Sequence, residues 1–399
     1  MRATMTIGLV VASFFSAAVL AGESGRRGKS VPPDAVKFVM HRIGSFRSEA
    51  CGVADFNGDG KLDIVAGQYI YLAPDWRRFQ FRTVEGKVDD SGKGYYWDFM
   101  NEPLDVDGDG RVDVVACEWR GTFQWFRNVG FDGPQWPATL IEKNGNMECG
   151  DLVDIDGDGA AREFLLHCQP TFWYELGTLP SGKRGLIKHM ISERKLDFGG
   201  GVGDVNGDGR PDLIRPNAWY EAPADPRKGR WIEHPILLGG KDGKAEHTPQ
   251  ICVYDVNADG LADIITSSAH RHGIFWYQQV RQGAQVTWVQ HTIDDTWSQA
   301  HAIALADIDG DGVPELITGK RFMAHNGSDP DEFGPLGVYW YDLARGPNPR
   351  WTRHTISFGQ GIGAGMSIPV VDLDGDGDLD IVVTGKFGGP VWFENRSSP

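Results

Sequence analysis

The chain has 399 residues, 55 of them Asp or Glu against 39 Lys or Arg, for a formal net charge of −16. That balance excludes the basic footprint on which nucleic-acid binding rests. Five cysteines, an odd number without a Cys-x-x-Cys pair, exclude a fully paired disulfide framework and a thiolate zinc site.

Met1-Arg2 precedes the apolar run TIGLVVASFFSAAVLA, and Val19 and Ala21 stand at the −3 and −1 positions of a cleavage site. This predicts a signal peptide over residues 1–21 and a secreted, extracellular or periplasmic protein. The apolar run is short for a membrane span, and no other candidate span follows it. Residues 22–35, GESGRRGKSVPPDA, read as a flexible linker. Residues 36–399 read as one repeat domain.

Seven acidic loops then recur. DFNGDGKLD supplies Asp55, Asn57, Asp59 and Asp63; DVDGDGRVD supplies Asp105, Asp107, Asp109 and Asp113. DIDGDGAARE supplies Asp154, Asp156, Asp158 and, past an extra residue, Glu163. DVNGDGRPD supplies Asp204, Asn206, Asp208 and Asp212; DVNADGLAD supplies Asp255, Asn257, Asp259 and Asp263. DIDGDGVPE supplies Asp307, Asp309, Asp311 and Glu315; DLDGDGDLD supplies Asp372, Asp374, Asp376 and Asp380. Each places oxygen side chains at positions 1, 3 and 5, glycine at 6 and an acid near 9. Carboxylates this close disfavour one another's ionisation unless a cation lies between them. Calcium takes six to eight oxygens in a forgiving geometry, whereas magnesium demands a tight octahedron. Up to seven structural Ca2+ ions are expected, and they would offset nearly all of the net charge. An Asp-Gly hairpin turn accounts for one such loop. It does not account for seven with the same oxygen positions.

The loops repeat with a period of about fifty residues, the signature of a propeller or array. An apolar run precedes each loop and a β-branched run follows. Next comes an aromatic strand (YIYLAP, FQWFRN, FWYEL, AWYEAP, IFWYQQ, VYWYDL, VWFEN), and often a fourth strand with His-x-Ile. Four short strands make a blade. The seventh unit ends at its third strand, while an orphan fourth strand, KFVMHRIG with His41, precedes the first unit. The expected fold is all-β: a seven-bladed propeller of four-stranded blades, closed by the N-terminal strand pairing in the last blade. Cys149 and Cys168 fall on neighbouring antiparallel strands of the third unit, where a disulfide is expected. Cys51, Cys117 and Cys252 read as small buried apolar residues.

These loops in fifty-residue β units resemble FG-GAP or VCBS-type repeats, as found in the head of integrin α chains and in many secreted bacterial proteins. The resemblance covers residues 36–399. It implies the propeller and the calcium; it leaves the activity open, because fold does not fix function.

Candidate ligand residues lie opposite the acidic loops, where the connections into strand one and from strand two to three converge. Six residues before each first aspartate stand Glu49, Phe99, Glu148, Phe198, Pro249, His301 and Met366, with Trp97, Asp98 and His247 beside them. Around the ends of the second strands stand Glu118, Arg215, His270, Arg271, Lys320, Arg321, His325 and Lys386. One face repeats and the other varies, as expected if the second surrounds an asymmetric ligand. For any one residue alone a solvated loop position is the simpler account, but aromatics with His, Arg, Lys and Glu together suit a carbohydrate. The connection 320–337 is long, and its Phe322, Met323, Phe333 and Leu336 predict an ordered lid.

The first functional expectation is a secreted, calcium-stabilised propeller binding a carbohydrate or other extracellular ligand. The alternative is a carbon–oxygen lyase, a sugar dehydratase or polysaccharide lyase working by β-elimination. HAIALADIDGDG (301–312) with its Gly319-Lys320 and the long loop resembles the propeller of aldos-2-ulose dehydratases. Such chemistry would use His301 or His247 as base and Lys320, Arg321 and Arg271 as stabilisers of a developing enolate. A protein-adhesion module ranks third.

Overall fold

The computed structural model describes residues 30–397 except 144, 242 and 284. The expected signal peptide, residues 1–21, and most of the expected linker lie outside the described residues. Residues 30–35 include a short 3-10 turn, Pro33–Ala35, and the Val31 N–H donates to the Asp309 carbonyl. No helix among the described residues is long and apolar enough to cross a membrane.

Each repeat folds into a four-stranded antiparallel sheet, innermost strand first. Blade one is Cys51–Ala54, Asp63–Ala66, Tyr69–Leu72 and Arg77–Gln80; blade six is Ala300–Ala306, Glu315–Lys320, Gly337–Ala344 and Arg350–Phe358. Blade seven consists of Val370–Val371, Asp380–Val383, Gly389–Asn395 and, as its outer strand, Phe38–Phe46 from the other end of the chain. Phe38 pairs with Asn395 and His41 with Trp392, so the expected ring closure is present. A separate hairpin, Gly86–Val88 with Gly94–Tyr96, projects from the connection between blades one and two.

The apolar core lies between blades rather than within them. Val65 and Ile70 of blade one pack with Val114 and Ala116 of blade two. Ile317 and Trp340 of blade six pack with Ile381 and Val391 of blade seven, and Val382 and Trp392 close onto Cys51 and Ile64 of blade one. The His-x-Ile histidines stack on aromatic-strand tryptophans: His41 on Trp392, His189 on Trp173, His234 on Trp219, His291 on Trp276 and His354 on Trp340, at 4.0–4.6 Å between centroids. They are structural, as their outer-strand position implies.

The acidic loops are set by their own backbone. In blade one, Gly58 and Gly60 take φ of 73° and 83°, open to glycine and strained for other residues. Their N–H groups donate to Asp55. The expected Cys149–Cys168 disulfide is absent, and all five cysteines are free and buried. The continuous register of the two strands sets Cys149 opposite His167, and past a shift between Met147 and Cys149 it is Met147 that faces Cys168, so the two thiols are out of register. The Cys149 thiol donates instead to the Met366 carbonyl.

Deleting Phe38–Phe46 removes the outer strand of blade seven and exposes an unpaired edge. The expected outcome is a lower melting temperature with self-association, read by calorimetry and light scattering. A monomer of unchanged melting temperature would show that the ring does not depend on this strand.

Candidate functional site

Two opposite ends of the blades carry the polar chemistry. At one end, the acid near position 9 of every loop accepts the backbone N–H of position 2: Phe56 to Asp63, Val106 to Asp113, Ile155 to Glu163, Val205 to Asp212, Val256 to Asp263, Ile308 to Glu315 and Leu373 to Asp380, at 2.7–3.2 Å. In five blades the same aspartate also accepts an N–H from strand three or just after it: Ala73, Asn128, Ala222, Gln279 and Asn395. These acids are buried. Burial and neighbouring acids push Glu315 up to about 9 and Glu163 up to about 8, in each case against the hydrogen bond received.

Loops that bring their acids within reach of one ion include Asp105, Asp107 and Asp113; Asp154, Asp156 and Glu163; and Asp307, Asp309, Asp311 and Glu315. Asp307 Oδ1 and Glu315 Oε1 are buried without a hydrogen-bond partner. Orphaned carboxylate oxygens held this close fit a hard divalent cation. Glu163 does reach in past the extra residue. In the Asn-bearing loops the Asn57, Asn206 and Asn257 amides donate to Asp59, Asp208 and Asp259.

At the other end, the residue six before the first aspartate points toward the channel mouth in blades one, three and six. His301, 2 % exposed, has Nε2 3.0 Å from Glu148 Oε1. Arg321 grips Glu49 through two hydrogen bonds of 2.7 and 3.0 Å and lies 3.7 Å from Glu148. His270 Nε2 lies 3.5 Å from Glu148, and its Nδ1 lies 3.5 Å from Asp329. His325 Nδ1 hydrogen-bonds the other oxygen of Asp329 at 2.9 Å and its ring stacks on His270 at 4.1 Å. His247, whose ring meets Phe198 edge-on, reaches the cluster from the connection before blade five.

The electrostatics divide the roles. Burial, then the Arg321 charge, pulls His301 down to about 3, so its imidazole is neutral. Burial would raise Glu148, but His270 and His301 hold it well below the usual carboxylate range. His301 Nδ1 and both ring nitrogens of His270 are buried without a hydrogen-bond partner. The sets that could hold a metal here include Glu148, His247 and His270, and His270, His325 and Asp329. Imidazole with carboxylate suits zinc or another transition ion better than calcium.

The expected cations are committed elsewhere. Lys320 is bound to Ser298 and Asp331, and Arg271 to Glu246. Arg215 is fully buried and donates to the carbonyls of Cys168, Asp197 and Pro170. Lys386, lowered to about 8 by burial, donates to the Met323 carbonyl and lies over the Tyr95 ring. Asp98 is buried against Arg82 and Asn101. These residues build the walls of the mouth. Trp97 and Trp119 remain half-buried at its rim, Trp97 under Arg120 and Trp119 against Phe198, and Glu118 is half-buried beside them.

Sequence patterns missed Asp329, Glu332 and Gln299. Glu332, 1 % exposed, accepts the backbone N–H groups of His325 and Asp329 at 2.9 and 2.8 Å. Gln299 is fully buried at φ 64° with neither amide atom partnered. Asp329 and Glu332 lie in the long single-copy connection of blade six, where no repeat marks them and only the acidic run Asp329-Pro-Asp-Glu332 hints at a function; Gln299 lies in the connection into strand one of blade six. The expected lid is ordered: Tyr95 donates to Ala324, the Gly94 N–H to Asn326, and Ser298 to Pro330. Phe333, one of its four expected anchors, is instead 78 % exposed. A groove of about 350 Å³ between blades four and five, lined by Trp219, His234, Arg281 and Trp288, shares no residue with this cluster.

Comparison with known proteins agrees with the repeat. Residues 105–161 and 255–318 match the FG-GAP-like repeat, spanning the acidic loops of blades two, three, five and six. No curated protein sequence matches the chain. Among solved structures, the crystal structure of the rhamnogalacturonan lyase YesW is similar at a TM-score of 0.47 and 14 % identity, covering 94 % of this chain and 76 % of that one.

Proposed function

We propose that the channel mouth is a divalent-metal site at which a carbohydrate binds and undergoes acid–base chemistry, as in a sugar dehydratase or lyase. One observation carries this reading: Glu148, His247 and His270 converge with buried, unpaired ring nitrogens beside a neutral, buried histidine. Three protein ligands with the fourth position left to water or substrate are the catalytic form of zinc coordination. The aromatic rim of Trp97 and Trp119 offers faces on which a pyranose ring stacks.

A β-elimination needs a base for the proton α to a carbonyl and an electrophile for the oxyanion that develops. The His301 to Glu148 contact assigns the proton to Nε2 and leaves the Nδ1 lone pair as the base. Because Lys320, Arg321, Lys386 and Arg271 are already paired, the positive charge falls to a metal, which would polarise the carbonyl when bound. Secretion through residues 1–21 fits a polysaccharide or sugar outside the cell. Incubating the protein with zinc and keto-sugars or uronate oligosaccharides is expected to give unsaturated product, read as enone absorbance. His301→Ala is expected to lower kcat by about 100-fold or more while the sugar still binds. Sugar binding with no product from the wild type would replace the lyase by a binding module; binding neither sugar nor zinc would reject the site.

The acidic loops are assigned a structural role with calcium, supported by the orphaned oxygens of blade six. The sign of the pH effect follows from the raised acids. Glu315, Glu163, Asp63, Asp212 and Asp380 titrate at about 9, 8, 7, 7 and 7, above the unfolded range. Folding therefore favours their protonated forms, a stabilisation present at acid pH and lost as pH rises to about 9. In chelator, the melting temperature is expected to fall between about pH 5 and pH 9, and calcium's gain to grow across that window. A gain that is absent, or independent of pH, would contradict calcium in these loops.

A further inference from the structure

The two ring nitrogens of His270 face different partners. Nε2 looks inward to Glu148, beside His247; Nδ1 looks outward to Asp329, on the long connection of blade six. Asp329 Oδ2 and both His270 nitrogens are buried and lack a hydrogen-bond partner, each pair standing at 3.5 Å, slightly too far for a full bond. The other Asp329 oxygen is held by His325.

The segment around Asp329 is built to place it. Glu332, buried at the base of the loop, takes the N–H groups of His325 and Asp329 on its two oxygens. Lys386 and Tyr95 hold Met323 and Ala324 from outside, and Lys320 holds Asp331. Six non-glycine residues among those described have φ in the left-handed region, and four lie in this loop or beside it: Gln299, Met323, Asn326 and Asp331. Strain of this kind persists where surrounding contacts over-determine a conformation, commonly at functional sites.

We infer that Asp329 is the positioning carboxylate of the mouth's metal site. By accepting the Nδ1–H of His270 it fixes the tautomer whose Nε2 lone pair faces Glu148 and His247, the carboxylate–histidine–metal arrangement. The loop 321–336 thus completes the site only when seated, and links closure over the ligand to the strength of the metal bond. This rests on the metal reading of the mouth. It commits Asp329 to a role outside the coordination shell, rather than to direct ligation with His270 and His325.

The test is cobalt binding by the full chain, in excess calcium to fill the acidic loops, read by visible absorption and chelator competition. His247→Ala is expected to abolish the cobalt band. Asp329→Ala is expected to weaken cobalt by about 10–100-fold, with an unchanged melting temperature in metal-free buffer and faster proteolytic cleavage within 321–336. Asp329→Asn keeps a carbonyl oxygen for the Nδ1–H and is expected to restore most of the affinity. If His247→Ala loses cobalt but Asp329→Ala does not weaken it, the inference fails and the metal reading stands. If Asp329→Asn is as damaging as Asp329→Ala, Asp329 is a direct ligand and its positioning role is overturned. A wild-type protein that binds no cobalt overturns both.

Discussion

Seven buried carboxylates, one per blade, are the constraint on which the molecule turns. A charged group taken from water needs hydrogen bonds and, failing enough of those, a counter-ion. Here each acid near position 9 receives the N–H that opens its loop, and five also receive an N–H from strand three or just after it. One side chain therefore fixes the turn between strands one and two and ties it to strand three. Because the same solution is copied into every blade, one face of the ring is occupied by repeated structure, and variation collects on the other.

That division explains the mouth. His301, Glu148 and Glu49 occupy equivalent positions in three blades, so the radial arrangement that packs the core also points them at one another. Their charges are balanced internally. Arg321 neutralises Glu49 and depresses His301, while His270 and His301 hold Glu148 ionised. What remains unbalanced is a group of ring nitrogens and one Asp329 oxygen, buried and unpaired. An unsatisfied polar group in a low-dielectric site costs about 1–3 kcal/mol. Several in one place point to an absent partner.

The periodic part of this was legible in the sequence. DxDGDGxxD and the aromatic strands announce themselves seven times, and the orphan KFVMHRIG identifies the strand that closes the ring. Position relative to the repeat also located His301, since six residues back from Asp307 is the start of the inner strand. Side-chain partnership was not legible. Arg215 and Lys386 looked like ligand residues because they are charged and sit at strand ends, yet both are spent on backbone carbonyls. The Cys149–Cys168 expectation failed on register, since Cys149 pairs with His167 and strand adjacency alone does not fix which residues face each other. Asp329 and Glu332 were missed because the long connection occurs once, and its meaning depends on what lies across the mouth.

The central claim is that this chain holds two kinds of metal at opposite ends of its blades, hard ions in the acidic loops and a softer one at the mouth. Crystals grown with calcium and soaked with zinc, measured on both sides of the zinc absorption edge, would test it most directly. The account expects an edge-dependent anomalous peak bounded by Glu148, His247 and His270, with calcium density in the acidic loops. Zinc found only in the acidic loops, with the histidine cluster empty, would contradict it.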